Sequence, residues 1–187
     1  MKKLVQTLKN IWNIEELRSK IIVTLLLILT YRFGTHVVLP GIDPLALDAI
    51  KANNKSEGLL GLFDAFAGGA FSQASILALG IMPYISASIF MQLMTILVPQ
   101  LQKVQKEGES GRKKINLYTR YVTVAVTVFQ AIGYIAYLRS QNGAAIIDDS
   151  FLWRLSVIVV LTTGTLFVMW LGEKITDKGI GNGTSLI

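Results

Sequence analysis

Few side chains in this sequence are of a type that performs covalent chemistry, and their spacing assembles no catalytic group. The chain contains no cysteine, which excludes thiolate catalysis, disulfides and cysteine metal sites, and it has one histidine, His36. Ser88 and Ser110 have no histidine near them in sequence to act as a general base. An intramembrane hydrolase is compatible with such spacing, but His36 belongs to the outer end of an apolar run. We predict a protein that is not an enzyme and holds no metal or cofactor.

One glycine motif resembles a nucleotide site, namely Gly-Ile-Gly-Asn-Gly at residues 179–183. Phosphate-binding loops of this kind follow a strand, open a helix and are completed by a lysine that reaches the phosphates. Here the glycines follow an apolar run of helix length, and neither the helix nor the lysine is present in that pattern. The motif therefore does not favour nucleotide binding.

The most informative spacing lies in residues 65–102, which carry no charged side chain. About 20 helical residues cross a hydrocarbon core of about 30 Å, so this stretch is too long for one span and too short for two. Residues 67–73 are rich in glycine and small polar residues, whereas residues 75–98 form an apolar run interrupted by Pro83. We expect a short non-spanning piece and then one transmembrane helix, kinked by Pro83, beside an aqueous cavity.

One face of that helix changes from apolar to polar along its length. On a wheel of 100° per residue, Ile81, Ile85, Ser88 and Gln92 fall in one sector of about 60°. Such a face would line a passage that is apolar at its waist and polar toward one mouth. The alternative is that both isoleucines face lipid, but a glutamine on that same face would then be unfavourable.

The rest of the chain predicts an all-α polytopic membrane protein. Charged residues make up 16% of the sequence and hydrophobic residues 52%, whereas soluble domains have about 25% charged residues. We predict spans at residues 21–39, 75–98, 121–138 and 155–171, with the start of a fifth at 184–187. The intervening segments are an amphipathic segment at 1–20, exterior loops at 40–58 and 139–154, and cytoplasmic loops at 99–120 and 172–183. The amphipathic segment fits either a helix on the lipid surface or an ordinary cytoplasmic cap.

The basic residues orient these spans. Most of the 18 lysines and arginines fall in the amphipathic segment and in the two cytoplasmic loops, which places the amino terminus in the cytoplasm. The net charge of +6 is thereby explained by topology and not by nucleic acid. Arg32, near the exit of the first span, fits snorkelling or helix pairing better than a role in conduction.

A short apolar element precedes the second span, at residues 59–74. It is too short to cross a membrane and would lie at the outer face, as either a mobile element hinged by glycines or a fixed interfacial half-helix. Its characteristic residues are Leu59, Leu60, Leu62, Phe63, Phe66, Gly68 and Gly69.

Several longer motifs, in this order, resemble the SecY family of bacterial protein translocase channels. They are Pro-Gly-Ile-Asp at 40–43, Phe-Ala-Gly-Gly-Ala at 66–70, the run at 75–89, Lys-Glu-Gly-Glu-Ser-Gly-Arg-Lys-Lys at 106–114, Tyr-Thr-Arg-Tyr at 118–121, Met-Trp-Leu-Gly-Glu at 169–173 and the glycine motif at 179–183. The resemblance covers the chain from about residue 15 onward.

The resemblance implies a ten-helix channel in two halves of five, with a short re-entrant plug helix. This chain would be its incomplete N-terminal portion, and the channel would pass unfolded polypeptides across the bacterial cytoplasmic membrane and release membrane segments laterally. The implied partners are SecE, SecG, the SecA ATPase, the translating ribosome, signal sequences and membrane lipids, with no nucleic acid bound directly.

The resemblance also implies roles for individual residues. The pore constriction falls on Ile81 and Ile85, and on Thr184, where an apolar residue is more usual. The plug corresponds to the apolar element at 59–74, and the polar positions of the lateral gate fall on Ser86 and Gln130.

Two other classes fit parts of the pattern. A secondary transporter bundle with a midplane binding site also uses broken helices, but it would need intramembrane charges that the central spans almost lack. A purely structural membrane subunit is disfavoured by the glycine-flanked half-helix and by the graded face of the second span.

Overall fold

A computed structural model describes residues 13–47, 61, 64–65 and 67–187. The regular secondary structure of this part of the chain is helical, with two isolated bridges and no strand. The helices are α1 (Glu15–Gly34), α2 (Met82–Leu97), α3 (Pro99–Lys106), α4 (Glu109–Asn142), α5 (Phe151–Lys178) and α6 (Gly183–Leu186). A 3₁₀ turn at Gly143–Ala145 joins α4 to α5.

Two of the described helices, α4 and α5, are long and apolar enough to cross a membrane. The bent pair α2–α3 makes a third if its two helices are counted as one span. Helix α1, where the first span was expected at 21–39, ends at Gly34 and includes Arg18, Lys20 and Arg32. Because of these charged side chains, α1 is not among the helices that are apolar enough by composition alone to cross a membrane.

The expected second span is helical only from Met82 onward, and residues 67–81 form a series of turns that we call the turn segment. Pro83 occupies the first turn of α2. A proline there loses no intrahelical hydrogen bond, because the first amides of a helix lack partners in any case. Pro83 therefore begins the helix, and the kink expected from the sequence is absent.

Residues 99–120, expected as a cytoplasmic loop, are mostly helical. Val98 adopts an extended conformation, as residues before proline favour, and α3 leaves α2 at 100°. Helix α4 then begins at Glu109, well before the apolar run at 121–138. Hydropathy marks only the apolar part of such a helix, whereas its polar first turns gain support from pairs such as Lys113 with Glu109, one turn apart.

The C-terminal ends of α1 and α4 and the N-terminal end of α5 are joined by one set of contacts to the backbone. Trp153 donates its indole N–H to the Pro40 carbonyl at 2.8 Å, and the Ile147 amide donates to the Gly41 carbonyl at 3.0 Å. Gly41 has a φ of 80°, and a side chain there would run into the Trp153 ring. The Pro-Gly-Ile-Asp motif is thus explained by this close approach.

A second contact at the same end joins α4 to α5. Asp149 pairs with Arg154 at 2.9 Å and with Arg139 at 2.8 Å. These partners lower the pKa of the Asp149 carboxyl, with the hydrogen bond from Arg154 as the largest cause.

The buried core has two parts. The larger packs α4 and α5 against the turn segment and the chain that follows α1, with Leu39, Leu138 and Leu161 at its centre. The smaller, which we call the inner cluster, contains Tyr31, Leu77, Ile81, Val168 and Leu171.

Helix α5 and the turn segment approach each other closely at Gly164. A side chain at that position would overlap the backbone carbonyl of Ile76. The absence of a side chain at Gly164 therefore permits close packing, and the partner of α5 there is irregular backbone rather than another helix.

Candidate functional site

The turn segment is held by side chains from two helices. Tyr31 of α1 donates its hydroxyl to the Ala67 carbonyl at 3.1 Å, and Arg32 donates to the Gly68 carbonyl. From the other direction, Tyr134 of α4 donates to the Phe71 carbonyl at 2.7 Å. Irregular backbone at membrane depth needs such partners, because lipid offers none. Arg32 thus contacts the turn segment, which accounts for its position in α1.

The same segment also pairs with the chain on either side of it. The Ser72 amide donates to the Asp64 carboxylate at 2.8 Å, and the Leu39 amide donates to the Ala74 carbonyl at the same distance. Ala74 is completely buried and has a φ of 47°, a conformation that costs energy for any residue other than glycine. Surrounding contacts therefore hold this turn in a strained shape.

The residues predicted for the plug fall partly in this segment. Gly68 and Gly69 lie at its start with φ values of 61° and 85°, which a residue with a side chain rarely adopts. The other five predicted plug residues lie outside the described residues: Leu59, Leu60, Leu62, Phe63 and Phe66. Within the expected half-helix at 59–74, the described residues 61, 64 and 65 are helical and residues 67–74 form turns.

A cavity of about 620 Å³, which we call the polar cavity, lies beside α2. Three residues of the graded face, Ile85, Ser88 and Gln92, line it together, and so does Thr184 of α6. The complete lining is Tyr84, Ile85, Ser88, Ile89, Gln92, Asn116, Arg120, Glu173, Thr176, Asp177, Asn182 and Thr184.

Ile81 has a different position from the rest of that face. It is 6% exposed, lies just before the first residue of α2 and packs in the inner cluster. Ile85 and Ile187 pack against the same cluster. The sequence prediction did not include Ile187, which follows Thr184 by three residues, the spacing that places two helical residues on one face.

An ion pair at the edge of the polar cavity joins α4 to α5. The guanidinium of Arg120 donates to both carboxylate oxygens of Glu173, at 2.9 and 2.7 Å, a bidentate geometry. The sequence prediction did not pair these residues, which are 53 positions apart. The available indication was that each belongs to a motif that resembles the SecY family, at 118–121 and at 169–173.

The glycine motif at 179–183 is explained by close packing. A side chain at Gly183 would overlap the Gly172 carbonyl, and one at Gly179 would overlap Thr24 of α1. The Thr24 hydroxyl instead accepts from the Ile180 amide at 3.0 Å. Asn182 accepts from the Thr184 amide at 3.1 Å and caps α6. The motif thus folds the chain back from α5 to α6.

A second cavity of about 540 Å³, the apolar cavity, lies between α2, α4 and the turn segment. Ser86 and Gln130, the two residues predicted for a lateral gate, both line it, although they are far apart in sequence. The complete lining is Ala67, Phe71, Ala78, Leu79, Met82, Ser86, Gln130, Gly133, Tyr134 and Tyr137.

Comparison with known proteins gives a family match. The SecY family model matches residues 75–187. The chain belongs to the SecY family. Among curated relatives, the protein translocase subunit SecY of Streptomyces scabiei is 48% identical over 92% of this chain and 41% of its own length. The SecY subunits of Buchnera aphidicola subsp. Schizaphis graminum and of Rickettsia conorii are each 45% identical, over 100% and 92% of this chain.

These relatives also define how much of a SecY protein is present. The chain spans about two fifths of their length, between 40% and 43% of the relatives named here. Membership of the family, together with the apolar helices α4 and α5, identifies it as a membrane protein.

Proposed function

We propose that this chain forms the N-terminal part of the channel subunit of a protein translocase, which passes unfolded polypeptides across the cytoplasmic membrane of a bacterium. The observation that carries the proposal is the polar cavity, whose α2 wall changes from Ile85 to Ser88 and Gln92 and ends beside the inner cluster. A channel for an unfolded polypeptide needs a hydrated entrance and an apolar constriction, which we call the waist.

The waist of the proposed channel consists of Ile81, Ile85 and the start of the next span. Apolar side chains close around an extended chain without forming hydrogen bonds to it, and they exclude ions because an ion loses its hydration there. Thr184 is polar, whereas Ile187 packs against the cluster that contains Ile81. In this proposal Ile187, which directly follows α6, supplies an apolar side chain to the waist, and Thr184 lines the polar cavity.

Residues 59–74, of which 67–74 form the first part of the turn segment, act as the plug in this proposal. Hydrogen bonds from α1 and α4 hold it beside the inner cluster in the closed state. The lining of the apolar cavity forms the inner wall of the lateral gate, and Ser86 and Gln130 are its polar residues. An apolar helix of a translocated protein, such as a signal sequence, would bind in this cavity before it enters the lipid.

The proposed arrangement in the membrane has four spans with the amino terminus in the cytoplasm. Helix α1 is the first span, and the guanidinium of Arg32 donates a hydrogen bond to the Gly68 carbonyl. Helix α2 has 16 residues, about 24 Å of helix, and the turn segment covers the remaining depth. SecE and SecG complete the complex, and SecA or the translating ribosome supplies the driving force.

The pore waist is tested by replacing Ile81 and Ile85 with glycine in the full-length channel. We expect ion conductance of the resting channel to rise several-fold, because the substitutions remove the apolar barrier at the narrowest point. The measurement is single-channel current in a planar bilayer that contains the purified complex.

A matched control replaces Leu93 and Ile96, two exposed residues further along α2, with glycine. It carries a loss of helix propensity of about 1 kcal/mol per residue, no smaller than that of the test pair because Ile81 precedes the helix, and it should leave the current unchanged. Resting conductance that stays at the unsubstituted level in the Ile81→Gly, Ile85→Gly channel would contradict the assignment.

A further inference from the structure

We infer that Tyr134 is the positioning residue through which an apolar helix in the lateral cavity releases the plug. The inference rests on the proposed function and goes beyond it, because it assigns the coupling between gate and plug to one hydrogen bond. That bond runs from the Tyr134 hydroxyl to the Phe71 carbonyl, over 2.7 Å.

Tyr134 and Phe71 belong both to the lining of the apolar cavity and to the contact that holds the turn segment. Each lines the apolar cavity, where Ser86 and Gln130 also lie, and Phe71 is part of the turn segment. Tyr134 is 3% exposed, and its ring meets that of Phe71 edge to face with the ring centres 4.9 Å apart. A helix that enters the cavity therefore touches the donor and the residue that carries the acceptor.

Binding of a helix in the apolar cavity competes with the hydrogen bond between Tyr134 and Phe71. A helix that displaces either ring moves the hydroxyl away from the carbonyl, because the Tyr134 ring is fixed against the rings of Phe71 and Tyr137. The Phe71 carbonyl keeps the Ala74 amide as a donor at 3.3 Å, but residues 67–74 lose their hydrogen bond to α4. These residues are then held less firmly and can leave their place.

The opposite side of the segment offers a matched comparison. Tyr31 donates to the Ala67 carbonyl at 3.1 Å, so it holds the same segment by the same kind of bond. Tyr31 does not line the apolar cavity, whereas Tyr134 does. Loss of the Tyr31 hydroxyl should loosen the segment without removing its response to an occupant of the cavity.

The test uses the full-length translocase complex in lipid vesicles, with Gln73→Cys in the turn segment carrying an environment-sensitive fluorophore. The residues of this chain include no cysteine that would compete for the label. The probe is a synthetic leucine-rich helical peptide with a basic amino terminus. The quantity measured is the ratio of label exposure to water with and without the peptide.

The expected results separate the two tyrosines. Y134F should expose the label about two- to tenfold more at rest, the factor that corresponds to one net hydrogen bond, and the peptide should then add nothing further. Y31F should also expose the label at rest but keep the response of the unsubstituted channel. Y137F removes a hydroxyl from the same cavity without removing a described bond to the segment, and it should behave like the unsubstituted channel.

Three results would overturn the inference: a normal peptide response in Y134F, an equal loss of response in Y31F, or no peptide response in an unsubstituted complex that still translocates polypeptide. The last result leaves the proposed function intact. A complex that neither translocates polypeptide nor responds to the peptide would contradict both the inference and the proposed function.

If Y134F does not assemble, hydrogen exchange at the amides of residues 72–76 in the unsubstituted complex provides the test. Exchange that the peptide does not accelerate would refute the inference.

Discussion

At the scale of single residues, the Arg120–Glu173 pair is the clearest link between α4 and α5 at the edge of the polar cavity. Its two short hydrogen bonds fix the relative rotation of the helices more tightly than a single contact would. The side chains are 49% and 31% exposed, so solvent screens part of their attraction. We therefore expect a modest energetic role and a larger geometric one.

A double-mutant cycle with R120Q and E173Q measures this role. The coupling free energy should be about 0.5–1 kcal/mol, at the upper end for exposed pairs because the geometry is bidentate, and it should shrink as salt is added. The measurement is thermal unfolding of the purified full-length protein.

The single-contact pair Lys113–Glu109, with side chains 76% and 85% exposed, provides the comparison. Its cycle should give a coupling of about 0.3–0.5 kcal/mol or less. An equal or larger value for this pair would show that the bidentate geometry adds nothing.

At the scale of elements, the contact between α5 and the turn segment depends on the absence of a side chain at one position. G164A places a methyl group against the Ile76 carbonyl, so α5 or the segment must move, at an expected cost of about 1–3 kcal/mol. The midpoint of thermal unfolding of the full-length complex should fall accordingly.

Gly133 in α4 is the matched control, since a methyl group there would meet no atom within 4 Å. G133A should be neutral or stabilising by up to about 1 kcal/mol, because alanine favours a helix more than glycine does. Shifts of the same sign and size in both variants would mean that helix propensity, and not the contact with Ile76, decides the outcome.

The elements also show how far local spacing predicts this site. Ile85, Ser88 and Gln92 lie three and four residues apart within one helix, so a wheel is sufficient to bring them to one cavity. Ile81 belongs to the turn that precedes α2, where the helical period no longer applies. The start of α2 depends on Pro83, whose effect reverses according to whether it falls inside a helix or in its first turn.

Local spacing does not predict contacts between residues that are far apart in sequence. The pairs Arg120–Glu173 and Tyr134–Phe71 link residues 53 and 63 positions apart, and nothing in their local spacing indicates a partner. Ser86 and Gln130 could be placed together only through the resemblance to a family. The extension of α4 into polar sequence was missed because hydropathy detects lipid contact and not helix formation.

At the scale of the whole molecule, the distribution of basic residues predicts which surfaces face the cytoplasm. K106C at the end of α3 and I147C in the connection between α4 and α5 place single thiols on opposite sides of the proposed membrane, and both positions are exposed. A membrane-impermeant thiol reagent should label I147C in intact cells and K106C only after permeabilisation.

The unsubstituted full-length channel, with any cysteine beyond this chain replaced, serves as the unlabelled background. Labelling of K106C from outside intact cells would reverse the proposed orientation. Equal labelling of both positions before permeabilisation would contradict the assignment of α4 as a span.

The hydrogen bond between Tyr134 and Phe71 also has a consequence for the order of synthesis. Ribosomes add roughly 5–20 residues per second, so Phe71 precedes its partner by about 3–13 s. During that interval Tyr31 has already been made and can serve Ala67, but the Phe71 carbonyl lacks the Tyr134 donor. The proposed plug can therefore be held from both helices only after Tyr134 of α4 has been synthesised.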